Sequence, residues 1–257
     1  MKRRQRRNNL IAGIAGALVV VIVSLALNFW MSSRGQAQGE SPILPTLTFP
    51  PTPTIPPSPT PMPILSSTIL AAPEFQNDDS LKLWEFVDVG AILPEDKSVW
   101  RVVDGTLLQD NTAMVGSPSS TNEAMAFIGS PTWTNYTVSA RFYDQGNGNV
   151  GLVARRQGDS FYRLRILAQF YNETPRMVLE KVIDGKATAL ATLDGPSYDF
   201  HAWYDIALKV DGTSIQAFVN GKPLLEATDD ALSSGQAGLF TRAMGKLRFS
   251  DVVVTGL

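Results

Sequence analysis

Hydrophobic and polar residues alternate most regularly between Asn135 and Leu167. Tyr136, Val138, Ala140 and Phe142 interleave with Thr137, Ser139, Arg141 and Tyr143. After Asp144–Gly148, Val150, Leu152 and Ala154 interleave with Gly151, Val153 and Arg155. After Gly158–Asp159, Tyr162, Leu164 and Ile166 interleave with Phe161, Arg163 and Arg165. A period of two over six or so residues is that of a strand in a sheet with one buried face. The stretch therefore predicts three consecutive strands. With the even-numbered side chains inward, Arg141, Arg155, Arg163 and Arg165 share the opposite face.

Alternation continues on both sides, broken by turn dipeptides: Asp104-Gly105, Asp184-Gly185, Asp211-Gly212 and Asn220-Gly221. Each lies between two apolar-alternating runs, the strongest short-range hairpin signal. Val99–Val103 is expected to pair with Thr106–Gln109, and Arg176–Ile183 with Ala187–Leu193. Trp203–Val210, Thr213–Asn220 and Lys222–Thr228 form a meander, and Ala237–Ala243 and Leu247–Val254 close the chain. Beyond residue 31 no long stripe of 3.6-residue period appears. A dozen or so short strands predict an all-β, two-sheet antiparallel sandwich. This domain occupies residues 71–257.

The first 70 residues follow other rules. A basic tail, residues 1–9, contains Lys2, Arg3, Arg4, Arg6 and Arg7. The uncharged run 10–31 follows, and about 20 apolar residues span a bilayer core. Basic residues on its N-terminal flank hold that flank in the cytoplasm and place the rest outside. The sequence thus predicts a single-pass signal anchor in the plasma membrane with an extracytoplasmic domain. The alternative is a cleaved signal peptide, with Gly35-Gln-Ala37 as the cleavage site. Against it, the apolar run exceeds the usual signal core of about 7–15 residues. Residues 32–70 form a linker with 10 prolines between Pro42 and Pro63. It is expected to extend as polyproline II at roughly 3.1 Å per residue, on the order of 70 Å of stalk.

Composition narrows the chemistry. There is no cysteine and a single histidine, His201, so disulfides, thiolate metal sites and two-imidazole mechanisms are excluded. Residues 71–257 hold 16 Lys and Arg against 23 Asp and Glu, a net charge of −7. No nucleic acid is expected as a partner, since phosphate recognition needs a basic footprint. Two sequons, Asn135-Tyr-Thr137 and Asn172-Glu-Thr174, fit N-glycosylation acceptors.

Several motifs together carry a resemblance. Trp100-Arg-Val-Val-Asp-Gly-Thr-Leu107 resembles the W-x-V-x-D-G-x-L opening of concanavalin A-like (laminin G-like) jelly-roll domains. Asn149-Val-Gly-Leu-Val-Ala-Arg155 resembles their N-x-G-h-x-x-R strand, with h apolar. The run from Trp203 to Gly221 resembles their meander, and Ser234–Leu239 and Phe249–Val254 resemble their last two strands. The match covers nearly all of residues 75–257. Through the first two motifs the 3-keto-disaccharide hydrolase-like family is the nearer pattern, and there Asn149 and Arg155 would be site residues.

The resemblance implies ligands on a concave sheet. Guanidinium forks suit vicinal hydroxyls and carboxylates. Arg141, Asn149, Arg155, Arg163 and Arg165 are therefore candidate contacts for a glycan, an acidic one included, with Tyr143 or Trp133 stacking on a sugar ring. The alternative is that these arginines pair with Glu180 and other carboxylates, and that Trp133 and Trp203 pack the sandwich edge. Related domains often carry a structural calcium, for which Asp78 or Asp79 and Asp251 are the candidate ligands. Glycoside hydrolases of family 16 on this fold use an E-x-D-x-x-E strand, which is missing here, and hydrolysis needs two carboxyls across the scissile bond. The reading adopted is non-catalytic binding of a carbohydrate or surface glycoconjugate. A glycoside-active enzyme and a protein-binding adhesion or sensing module stand as alternatives.

Overall fold

The computed structural model describes residues 67–90, 97–110, 123–146, 148–168, 174–195, 197–242 and 246–257. The expected anchor 10–31, the linker up to residue 66 and the Asn172 sequon lie outside them. Among the described residues no helix is long and apolar enough to cross a membrane.

Fifteen strands are described: β1 (Thr68–Ala71), β2 (Glu85–Val89), β3 (Trp100–Val103), β4 (Thr106–Gln109), β5 (Glu123–Ile128), β6 (Tyr136–Asp144), β7 (Asn149–Gln157), β8 (Ser160–Leu167), β9 (Met177–Ile183), β10 (Lys186–Leu193), β11 (Trp203–Asp211), β12 (Ser214–Val219), β13 (Lys222–Thr228), β14 (Gln236–Arg242) and β15 (Leu247–Gly256). A single 3-10 turn, Asp78–Leu83, precedes β2.

The hairpins form where the turn residues demand them. Asp104-Gly105, Asp184-Gly185 and Asn220-Gly221 each place two successive residues at positive φ, between 49° and 75°. That is the backbone of a type I′ turn, whose twist matches the flanking strands. β3 and β4, β9 and β10, and the meander β11–β12–β13 pair antiparallel as the sequence predicts.

The strands form two sheets. One has eight strands in the order β13-β12-β11-β6-β15-β4-β3, with β1 also pairing with β15. The other has seven, in the order β10-β9-β8-β7-β14-β5-β2. The inward side chains of both form one core, which includes Leu107, Tyr136, Phe142, Leu152, Tyr162 and Phe249.

This topology corrects two expectations. β6, β7 and β8 are consecutive strands but not one sheet: the segment after Asp144 carries the chain from the eight-stranded sheet to the seven-stranded one. Arg141 therefore lies on the opposite side of the molecule from Arg163 and Arg165. The two sheets also differ in exposure. β6 alternates buried and half-exposed positions, whereas β7 is buried at seven successive positions, Asn149–Arg155. The period of two is thus one-sided in β6 only.

Candidate functional site on the seven-stranded sheet

The outer face of the seven-stranded sheet carries a second apolar cluster, separate from the core: Met125, Phe127, Val153, Phe161, Val182 and Phe240. The strand register explains how such a face is buried. Gly238 lies opposite Phe127 and Val153, and Gly151 lies opposite Phe240 and Arg165. A Cβ on Gly238 would fall 2.5 Å from the Phe127 ring, and one on Gly151 would fall 1.7 Å from the Leu164 carbonyl oxygen. The bare backbone at Gly238 lets the Phe127 ring lie down on the sheet, and that at Gly151 lets the Leu164 carbonyl of β8 come close.

Charged groups cover this floor. The Arg163 guanidinium sits 4.3 Å from the Phe240 ring centroid. Its Nε donates to Glu180 Oε2 at 2.8 Å and its Nη1 to Glu123 Oε2 at 2.8 Å. Arg165 donates through Nε and Nη2 to the other oxygen of Glu180, at 3.2 and 3.1 Å. Arg163, Glu180 and Glu123 are largely buried, so the network resists screening and breaking one member costs about 3–5 kcal/mol. Arg156 stacks 4.4 Å over Phe127 and pairs with Glu85 at 2.6 Å. Between these groups lies a recess of about 440 Å³, lined by residues that include Asp88, Glu123, Arg156, Asp159, Phe161 and Arg163.

Asn149, at the start of β7, is 8% exposed on the same face. It lies opposite Leu167 on β8 and Arg242 on β14, and Arg242 lies opposite Glu123. Its Oδ1 is buried with no hydrogen-bond partner. Such an orphan costs about 1–3 kcal/mol, and none of the described residues supplies its partner.

The other sequence candidates fall elsewhere. Arg155 is corrected most. At φ +52° it sits in a register shift of β7, and its side chain turns into the end of the sandwich, where it is 1% exposed. There Nε donates to Thr134 O at 3.0 Å, Nη1 to Gly212 O and Leu232 O at 2.8 and 2.9 Å, and Nη2 to Asn135 Oδ1 at 3.3 Å. Arg141 and Tyr143 lie on the eight-stranded sheet, beside Trp203. Trp133 packs over Gly129, whose Cβ would lie 2.0 Å from the indole, and edge-on to Tyr136 at 6.0 Å. His201 donates its backbone N–H to Asp144 O, and its Nδ1 lies 3.4 Å from the Tyr143 hydroxyl. Asn135 of the first sequon is exposed, though its Oδ1 also accepts from Gly212 N at 2.9 Å.

The candidate calcium ligands each have a partner within the chain. Asp79 bonds Lys82 at 2.7 Å, Asp78 Oδ1 accepts from Val102 N at 2.9 Å, and Asp251 pairs with Arg141 at 3.7 Å. Among the described residues no group of three or more His, Cys, Asp or Glu is placed to hold a metal ion.

The alternation puts Arg163 and Arg165 on one face, Asn149 is named only through the family resemblance, and the pairing with Glu180 is the one given as the alternative to ligand contact. Sequence reasoning misses Glu123, Phe240 and the two floor glycines. Their signal is faint: a glycine inside a strand marks close approach by a neighbouring group, and both Gly151 and Gly238 stand in such runs.

A profile of the 3-keto-alpha-glucoside-1,2-lyase-like domain matches residues 72–255. The chain belongs to this family. The match runs from β2 into β15 and leaves out β1. Among solved structures, carbohydrate-binding module CBM66 from Bacillus subtilis is 17% identical, with a TM-score of 0.51 over 67% of this chain and 94% of that one. A Bacillus subtilis protein with a galectin-like fold is 15% identical, with a TM-score of 0.52 over 74% of this chain and 99% of that one. Both show the shared β-sandwich fold. A comparison with curated proteins gives no match.

Proposed function

We propose that this protein is a membrane-anchored, extracytoplasmic module that binds a carbohydrate or surface glycoconjugate without turning it over, on the outer face of the seven-stranded sheet. The observation that carries the reading is the unpartnered, buried Asn149 Oδ1 on the face that bears the Arg163–Glu180–Arg165 network. Fixed donors and acceptors around a recess match the rim of hydroxyls on a sugar ring. The two arginines are offset by Glu123 and Glu180, which favours a neutral glycan over an acidic one. Membership of a glucoside-related family and the fold shared with a carbohydrate-binding module support the ligand class. The anchor and stalk rest on the apolar run 10–31 and the prolines that follow it.

A glycoside-active enzyme is the second reading. It is favoured by one observation: Glu123 and Glu180 both reach the Arg163 guanidinium, so two carboxylates stand on one face. Both act there as acceptors within ion pairs, whereas hydrolysis needs one carboxyl that carries a proton to give. Binding is therefore the better match to this geometry.

The test is a panel of polysaccharides and glycans offered to the full chain in mild detergent, wild type beside Asn149→Ala, with retention and reaction products both followed. Retention without products, weakened about fivefold or more in the variant, is expected for the loss of one buried hydrogen bond to the ligand. Unchanged retention in Asn149→Ala would remove the site from this face. Product formation would put the enzyme reading first.

A further inference from the structure

We infer that the opposite face of the molecule, the outer surface of the eight-stranded sheet, is a second binding site for a neutral glycan chain. This deepens the reading above and rests on it for the ligand class. It does not share a residue with the first site.

The site is built around Trp203, the first residue of β11. Large apolar side chains are normally covered, yet this indole is 39% exposed. The register puts Trp203 opposite Tyr143, and the two rings meet at 5.3 Å between centroids and 41° between planes. Tyr143 is backed in turn by His201, with ring centroids 6.1 Å apart. Arg141, two residues before Tyr143 on the same face, places Cζ 5.3 Å from the Trp203 ring centroid. The indole is thus held by its neighbours rather than free to rotate, which is what a stacking platform requires.

Around the platform stands a rim of hydrogen-bonding groups. Arg141 Nε lies 3.1 Å from Asp205 Oδ1, and its Nη1 lies 3.7 Å from Asp251 Oδ2. Asp251 has φ +49° and occupies a register shift of β15 between Ser250 and Val253. Such a bulge re-aims a side chain and breaks the flat ladder. Beside this trio lies a groove of about 510 Å³, which Arg141, Asp205 and Asp251 share with Ser139, Lys209 and Phe218.

Two features select the ligand. First, Arg141 and Lys209 are offset by Asp205 and Asp251, with Asp211 also 3.4 Å from Lys209, so the site presents no excess positive charge to attract an acidic glycan. Second, the ion pairs are loose: the side chains of Arg141, Asp205 and Asp251 are 46%, 64% and 63% exposed. Exposed pairs of this kind are worth about 0–1 kcal/mol each, so sugar hydroxyls can replace them at little cost. A neutral sugar ring offers an apolar face for Trp203 and hydroxyls for the carboxylates and cations. The first site differs on the second count, because its charges are buried and fixed. Two sites on opposite faces would let one molecule bridge two chains of a polysaccharide or grip one at two points, raising retention beyond either site alone.

The experiment uses the full chain in mild detergent with neutral hexasaccharides of glucose, mannose, galactose and fructose as probes in calorimetric titration. Wild type, Trp203→Ala, Asn149→Ala and the double variant are compared after thermal melts confirm folding, and Asp205→Ala replaces Trp203→Ala if the latter does not fold. The expected result is two sites per chain in the wild type, one in each single variant and none in the double. Loss of binding in Asn149→Ala alone, with Trp203→Ala unchanged, overturns this inference and leaves the first reading standing. Loss in Trp203→Ala alone supports this site and removes the first. Binding unchanged in both variants, or no binding by the wild type to any probe, overturns both. Capture of a protein that the hexasaccharides do not displace, in place of sugar binding, also overturns it.

Discussion

Arg155 shows how one backbone angle changes what a residue is for. Its neighbours in β7 follow the strict alternation, but at φ +52° the chain takes one step out of phase. The guanidinium then points into the sandwich end, where it serves Thr134, Gly212, Leu232 and Asn135. These acceptors belong to the start of β6, the β11–β12 turn and the segment before β14, so one side chain ties three separate loops. Its backbone N–H meanwhile donates to the Tyr136 hydroxyl at 2.6 Å. Arg155→Ala would strand the acceptors, each worth about 1–3 kcal/mol when buried and unpaired. We expect a stability loss of about 3 kcal/mol or more in urea unfolding, with Arg155→Lys recovering only part because one ammonium cannot reach four acceptors. A residue acting only through ligand contact would leave the unfolding midpoint unmoved. Any binding defect of Arg155→Ala therefore reports on folding.

At the scale of the element, β7 and β14 work as a matched pair. Each carries a glycine on its outer face, Gly151 and Gly238. Phe127 covers Gly238 and Phe240 lies opposite Gly151, so the sheet is buried on a side that the sandwich alone would leave wet. The Phe127 ring lies where a side chain on Gly238 would stand, and the Leu164 carbonyl oxygen where one on Gly151 would stand. The prediction at this scale compares two glycines. Gly151→Ala places a Cβ 1.7 Å from the Leu164 carbonyl oxygen, so the β7–β8 ladder must move. Gly105→Ala meets nothing within 4 Å and bears only the left-handed backbone, at φ +72°, a penalty of roughly 1–2 kcal/mol. Thermal unfolding should show Gly151→Ala as the more damaging by at least about 1 kcal/mol. Equal losses would mean that the floor tolerates a side chain at residue 151.

For the whole molecule, the crossover between the sheets holds one group that links stability to pH. Asp144 ends β6 with its side chain fully buried. Burial pushes its carboxyl above the usual carboxylate range, against the opposing hydrogen bonds from Tyr198, Gly146 and Gly148. The geometry agrees. The Tyr198 hydroxyl lies 2.7 Å from Asp144 Oδ2 and 2.5 Å from Gly148 O, both acceptors, and it has one proton to give. A protonated Asp144 donates to Tyr198, which then donates to Gly148. The folded pKa is raised above the unfolded value of about 3.9, so this group's stabilisation is fully present below the unfolded pKa and lost as pH rises through the folded one. Asp144→Asn supplies a permanent N–H in place of that proton. We expect the variant to melt above the wild type at pH 7, with the gap closing as pH falls towards about 4. A variant that melts below the wild type at both pH values would refute the shared-proton arrangement.

The sequence by itself determined the sandwich, its hairpins and every described strand except β1, β2 and β5, because alternation and type I′ turn residues are local properties of the chain. Asp104-Gly105, Asp184-Gly185 and Asn220-Gly221 each fold as their dipeptide dictates. It also placed Arg163 and Arg165 on one face, since they share a phase in β8. Only the tertiary structure decided which strands share a sheet. Alternation tells each residue's face within its own strand and is silent on the sheet to which that strand belongs. That is why Arg141 parts from Arg163, and why Glu123, far away in sequence, comes to meet it. Arg155 left its expected face through a bulge whose cause is distributed over three loops. Contacts between residues remote in the chain define both candidate sites, and no window of sequence contains them.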